Sequence, residues 1–143
     1  MLNIVTQPTE SLRERSVELD QDFLLSEKIQ ALIDEMIPTM YEDDGIGLAA
    51  PQVGNNIRIC VIGKEAVLLD KKTKLDITQD IILVNPIWEK TSRKKDWDTE
   101  GCLSVPKTFG KVRRYRDVQV NALDRHGNPV SFEAHGFFAR VVQ

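Results

Sequence analysis

Cys102 is the residue of this sequence with the most chemistry to offer. It lies in Glu100-Gly101-Cys102-Leu103-Ser104-Val105-Pro106, among small or apolar neighbours just before a proline-set turn. A thiolate in such a place can ligate a metal or attack a substrate. A free cysteine can equally pack as a small hydrophobe, which is the reading given to Cys60 inside Arg58-Ile59-Cys60-Val61-Ile62. The residue alone favours packing for Cys102 too. About fifty residues earlier stands Gly45-Ile46-Gly47-Leu48-Ala49-Ala50-Pro51-Gln52-Val53-Gly54. Gly45 and Gly47 let another backbone approach closely, and Gln52 adds a side-chain amide that can donate or accept. Such a loop can hold a peptide-like ligand. It lacks the GK[ST] ending and the GxGxxG pattern of phosphate-binding loops, and by itself a glycine-rich turn is more often structural.

These residues need elements to position them. Residues 1–20 show no helical period and read as an extended, packed arm around Pro8. From Phe23 onward, Leu25, Ile29, Leu32, Ile33, Met36 and Met40 recur at threes and fours, predicting a core-facing amphipathic helix that ends near Tyr41, with Pro38 in its last turn. The glycine loop then leads into an apolar run over residues 57–62. Residues 81–84 and 118–123 predict further strands, with 85–86 as a strand ending. Val130, Phe132 and Ala134 alternate after a turn at 124–128. The charged stretch 64–80 reads as an exposed hairpin or excursion in which Val67, Leu68 and Leu69 can pair. The fold class is α+β, strand-rich after one helix, in a single domain over residues 1–143.

Composition bounds the function. Hydrophobic residues at 41% and charged residues at 29% suit a folded domain. The net charge of −3 supplies no positive field for phosphate backbones or anionic lipid, so no nucleic acid is expected as partner. Basic runs at 93–95 and 111–116 read as solvated strand or loop faces. No apolar stretch nears the ~20 residues of a membrane span, and two separated cysteines suit a reducing compartment, so a cytoplasmic protein is expected.

GIGLAAPQ at 45–52 followed by EGCLSVP at 100–106 resembles the first two signature motifs of the peptide deformylases. The resemblance extends through the helix, Asn85-Pro86, Ala122-Leu123-Asp124-Arg125 and the tail from Gly136 to Gln143. It implies an α+β fold with antiparallel or mixed sheets around a central helix, and removal of the formyl group from N-formylmethionyl peptides on nascent chains near the ribosome. It implies Cys102 as one ligand of a divalent metal, iron(II) first, with zinc, nickel or cobalt as alternatives. Gln52 and the backbone N–H of Leu103 would stabilise the oxyanion. Gly45, Ile46, Gly47 and Gly101 would meet the substrate backbone, and Ile46 and Leu103 the methionine side chain. Glu100, beside the ligand, is expected to be structural and to pair with Arg114.

The family's remaining two ligands and its base belong to an HExxH helix, and the 143 residues contain no such motif. The resemblance thus implies a C-terminally incomplete site, metal weakly held or absent, and an inactive chain. His126, in a turn, and His135, ending a strand, lack the spacing that places two ligands on one helical face. Two other readings stay open. One is a catalytically dead homologue that binds peptide N-termini. The other is a cysteine-nucleophile hydrolase, although nothing near Cys102 in sequence activates its thiol.

Overall fold

The computed structural model describes residues 1–75 and 79–143. Residues 1–20 form the expected arm, interrupted by a 3-10 turn at Glu10–Arg13. The predicted helix divides in two, α1 at Gln21–Leu24 and α2 at Glu27–Glu42. Two side chains set the division: Asp20 Oδ1 accepts from Phe23 N–H at 2.8 Å, and Ser26 Oγ accepts from Ile29 N–H at 3.4 Å, so each starts its own helix. The break corrects the apolar face, because Phe23 and Leu25 are exposed while Leu24 is buried. From Ile29 on the expected face holds, with Leu32, Ile33, Met36 and Met40 buried, and Pro38 is absorbed within the helix.

Strand β1 (Gly47–Ala49) leaves the glycine loop, and β2 (Ile59–Ile62) follows. The stretch expected to be an exposed hairpin instead opens with helix α3 (Lys64–Leu68), whose Ala66 and Val67 are buried while Leu68 and Leu69 face solvent. Its positions 76–78 lie outside the described residues. Strand β3 (Ile81–Lys90) runs past the expected ending at Asn85-Pro86. There its pairing to β6 (Asp117–Leu123) shifts register between Val84 and Ile87. Pro86 has no N–H for the ladder, and Asn85 takes a left-handed backbone (φ 51). The Asn85 side chain meanwhile exchanges two 2.9 Å hydrogen bonds with the backbone of Leu19, tying the N-terminal arm to the sheet.

Strand β7 (Pro129–His135) completes an antiparallel sheet of order β1-β2-β3-β6-β7, and β4 (Lys95–Cys102) with β5 (Val105–Tyr115) forms a separate hairpin. Helix α4 (Gly136–Val142) closes the described fold. Strand alternation sorts the core onto two faces. Ile59, Val61 and Val84 face α2, whereas Ile62, Leu83, Val118, Val120 and Phe132 join Phe138 and Ala139 of α4. The tail packs through Phe138, while Phe137 remains exposed. No helix among the described residues is long and apolar enough to cross a membrane.

Candidate active site

A 3-10 turn at Ala50–Val53 positions Gln52. Pro51 enters it with a fixed φ and no donor to satisfy, and Gly54, at φ 84, closes it in a conformation that favours glycine. Within this turn Gln52 Oε1 accepts from Ala49 N–H at 2.9 Å. That bond commits the carbonyl end and aims the amide nitrogen at the second motif, where Nε2 reaches Cys102 Sγ at 3.6 Å and Ser104 Oγ at 3.4 Å. A donor is thus fixed beside the exposed thiol.

The glycines let the motifs touch. A Cβ on Gly45 would lie 2.7 Å from Leu103 Cδ1 and 3.1 Å from the Met40 carbonyl, and one on Gly47 would lie 3.2 Å from Val141 Cγ1. A Cβ on Gly101 would meet the Phe109 ring at 2.6 Å. The N-terminal arm fastens both motifs: Val5 N–H donates to Gln52 C=O at 2.7 Å and Gln7 N–H to Ser104 C=O at 2.8 Å. Gly45, Ile46, Gly47, Gln52, Gly101, Cys102 and Leu103 therefore share one open cleft of about 1170 Å³, also lined by Phe137 and Val141.

Beneath Cys102 lies a charge network. Glu100 accepts from Arg114 Nε and Nη2 at 2.9 and 2.8 Å, the pairing expected from the resemblance, and from Arg140 Nη1 at 2.8 Å. Buried Arg140 also donates to the carbonyls of Val112 (2.9 Å) and Asp96 (2.8 Å). Gln143 exchanges hydrogen bonds with the Tyr115 backbone. The Arg114 hydrogen bonds hold the Glu100 carboxyl below its ordinary pKa against the opposing pull of burial, and Arg140 adds to the depression. With its oxygens so committed, Glu100 is no free base. Sequence reasoning did not identify Arg140 or residues 5 and 7. The arm carries no motif, since its role rests on backbone groups, and only a lone arginine in an apolar helical segment hinted at the former.

The two cysteines separate cleanly: Cys102 is open to the cleft, whereas burial pushes the Cys60 thiol up to about 12. The histidines stay apart from the cleft lining. His135 Nδ1 lies 2.9 Å from Asp117 Oδ1. His126 sits in the turn organised by Asp124, which accepts its N–H at 2.8 Å. Among the described residues no group of three His, Cys, Asp or Glu side chains could hold a metal ion. Among the described residues Cys102 is thus a single soft donor open to the cleft, where such an ion takes three or more.

The family described as polypeptide deformylase matches residues 1–143. Peptide deformylase from Orientia tsutsugamushi (strain Boryong) is 37% identical over 145 residues, spanning 100% of this chain and 78% of that protein. Peptide deformylase 1A, chloroplastic/mitochondrial, from Arabidopsis thaliana is 37% identical over 150 residues, and there the chain spans only 55% of the relative's length. The Met-Ala-Ser-bound crystal structure of a class I type b peptide deformylase from Acinetobacter baumannii superposes with a TM-score of 0.85 at 29% identity, covering 100% of this chain and 89% of that one.

Proposed function

Because the chain belongs to the polypeptide deformylase family, we propose that its cleft binds N-formylmethionyl peptides and forms the oxyanion-stabilising half of a formyl-removing hydrolase. The observation that carries this reading is the fixed Gln52 amide. Its Nε2, with the carbonyl end tied to Ala49, is a preorganised donor beside Cys102. Together with the Leu103 N–H it would polarise the formyl carbonyl and stabilise the charge that develops on its oxygen. Backbone groups of Gly45, Ile46, Gly47 and Gly101 would pair with the substrate, and Ile46 and Leu103 would contact the methionine side chain. Nascent chains near the ribosome, in a cytoplasmic setting, are the substrates this reading supports. Cys102 would contribute a thiolate to a divalent metal, iron(II) by resemblance.

A second reading rests on the same cleft and its close backbone contacts: a domain that binds peptide N-termini without turnover. Calorimetric titration of the 143-residue chain with formyl-Met-Ala-Ser tests the binding common to both, and loss of that binding defeats both. Formate release and metal content are then compared between this chain and one extended after Gln143 by a His-Glu-x-x-His helix. Stoichiometric metal and turnover in the extended chain alone are expected, with metal lost in Cys102→Ala and retained in Cys60→Ala. In the extended chain Gln52→Ala should lower kcat by about two orders of magnitude with metal still bound. A near-normal rate removes the proposed role of Gln52, and peptide binding without formate release from either chain favours the second reading.

A further inference from the structure

The outer face of the β4–β5 hairpin is one-signed. Opposed residues of an antiparallel pair point to the same side, and the register sets Lys95 against Tyr115, Trp97 against Arg113, Thr99 against Lys111 and Gly101 against Phe109. That side therefore carries Lys95, Lys111, Arg113, Trp97, Phe109 and Tyr115, and no acidic residue. The acids of β4 alternate onto the other side, where Asp96 pairs with Arg116 at 2.7 Å and Glu100 with Arg114 at 2.8 Å. Among the described residues Lys95, Lys111 and Arg113 take part in no salt bridge. Trp97 and Phe109 are 66% and 72% exposed, and although the Phe109 ring rests on Gly101, both rings present surface to solvent. At the far end the Tyr115 ring gathers charge, with Lys95 Nζ 4.6 Å and Lys90 Nζ 5.3 Å from its centroid. The net charge of −3 conceals this, because strand alternation separates the signs.

We propose that this face docks a single-stranded polynucleotide, phosphates against Lys95, Lys111 and Arg113 and bases against Trp97 and Phe109. Of these residues only Phe109 reaches the rim of the cleft, while Lys95, Trp97, Lys111 and Arg113 stand outside its lining. Cations alone would fit any acidic partner, but open rings interleaved with them offer stacking that an acidic peptide does not use. The geometry suits an extended strand: Trp97 and Phe109 sit four register positions apart, about 13 Å at ~3.3 Å per residue. Duplex bases, being stacked on each other, would leave both rings idle.

The test is fluorescence anisotropy of a labelled mixed-sequence 12-nucleotide RNA, with DNA of the same sequence as a second arm, titrated with the 143-residue chain. Saturable micromolar binding at 50 mM KCl is expected, weakening with a log–log salt slope of about −2 if three cations contribute ~0.7 each. Lys111→Glu/Arg113→Glu should abolish it, Arg113→Gln should weaken it, and Trp97→Ala should weaken it about tenfold. Binding of either nucleic acid supports the proposal, and the two arms identify which. The proposal is overturned by no binding at 50 mM KCl, by undiminished binding in Trp97→Ala, by equal affinity for the duplex, or by tighter binding of polyglutamate or phosphatidylserine vesicles.

Discussion

The loop at 45–52 and the turn at 100–104 meet at the cleft, yet different forces hold them there. The loop is set by contact: Gly45 leaves no room for a Cβ beside Leu103, Gly47 abuts Val141, and Gly45 N–H donates to the Met40 carbonyl at 2.9 Å. The turn joins the strands of a hairpin whose first strand is pinned through Glu100 to Arg114 on β5 and Arg140 on α4. Contact of the first kind is indifferent to pH and salt. An ionic anchor is not, and it makes the position of Cys102 depend on a helix remote in sequence. Gln52 and Cys102 can thus be perturbed separately.

Breaking the ionic anchor should have the largest effect. Arg140→Met keeps much of the buried length but deletes the donors to Glu100, Val112 and Asp96. Removing one member of a buried pair costs about 3–5 kcal/mol. Because Arg114 still serves Glu100, we expect about 2–3 kcal/mol, read as a lowered urea midpoint at unchanged m-value. A loss below about 0.5 kcal/mol would show that packing of α4, and not charge, seats the turn.

This division also explains what could be read from the residues alone. Period and alternation are local, so α2 from Ile29 onward and β6 with β7 were legible, as was the pairing of the two motifs through the resemblance. The helical period could not show that Ser26 would cap a new helix, which turned Phe23 and Leu25 outward. Charge along 64–80 hid α3, because Ala66 and Val67 alone bury it. Arg140 was illegible for a different reason. Its partners are a carboxylate 40 residues away and two carbonyls, and backbone carbonyls leave no mark in a sequence. The Gln52 amide was foreseen in kind but not in aim, since its direction comes from a backbone N–H three residues before it.

The contact-held side should yield less. Gly45→Ala introduces a Cβ 2.7 Å from Leu103 Cδ1, a side-chain end that can swing away, and 3.1 Å from a carbonyl that cannot. Overpacking of this kind costs about 1–3 kcal/mol, and the movable neighbour places it at the lower end. Leu103→Ala removes the nearer clash, so the double variant should cost measurably less than the two single ones added. Strict additivity in denaturation midpoints would mean that the two motifs are not sterically coupled.

Acid gives the smallest and most selective effect. Glu100 has its folded pKa lowered, by the Arg114 hydrogen bonds first and with Arg140 adding, although burial opposes them. Folding therefore favours the ionised carboxylate. Its contribution is fully present above the ordinary value near 4.5 and is lost as pH falls through the lower folded value, because the unfolded chain binds the proton first. Asp96, Asp117 and Asp124 are also lowered, so the slope of the whole protein is a sum and cannot identify one group. A difference can. Glu100→Gln keeps the shape and removes the titration, so its stability should fall less steeply below about pH 4.5 than that of the unsubstituted chain, and the gap between them should narrow as pH drops. The Gly45→Ala curve should instead run parallel to the unsubstituted one, displaced by a constant amount, since no proton enters its contact. Thermal unfolding from pH 7 to pH 3 separates these outcomes. Parallel curves for Glu100→Gln would show that the turn, like the loop, is held by contact alone.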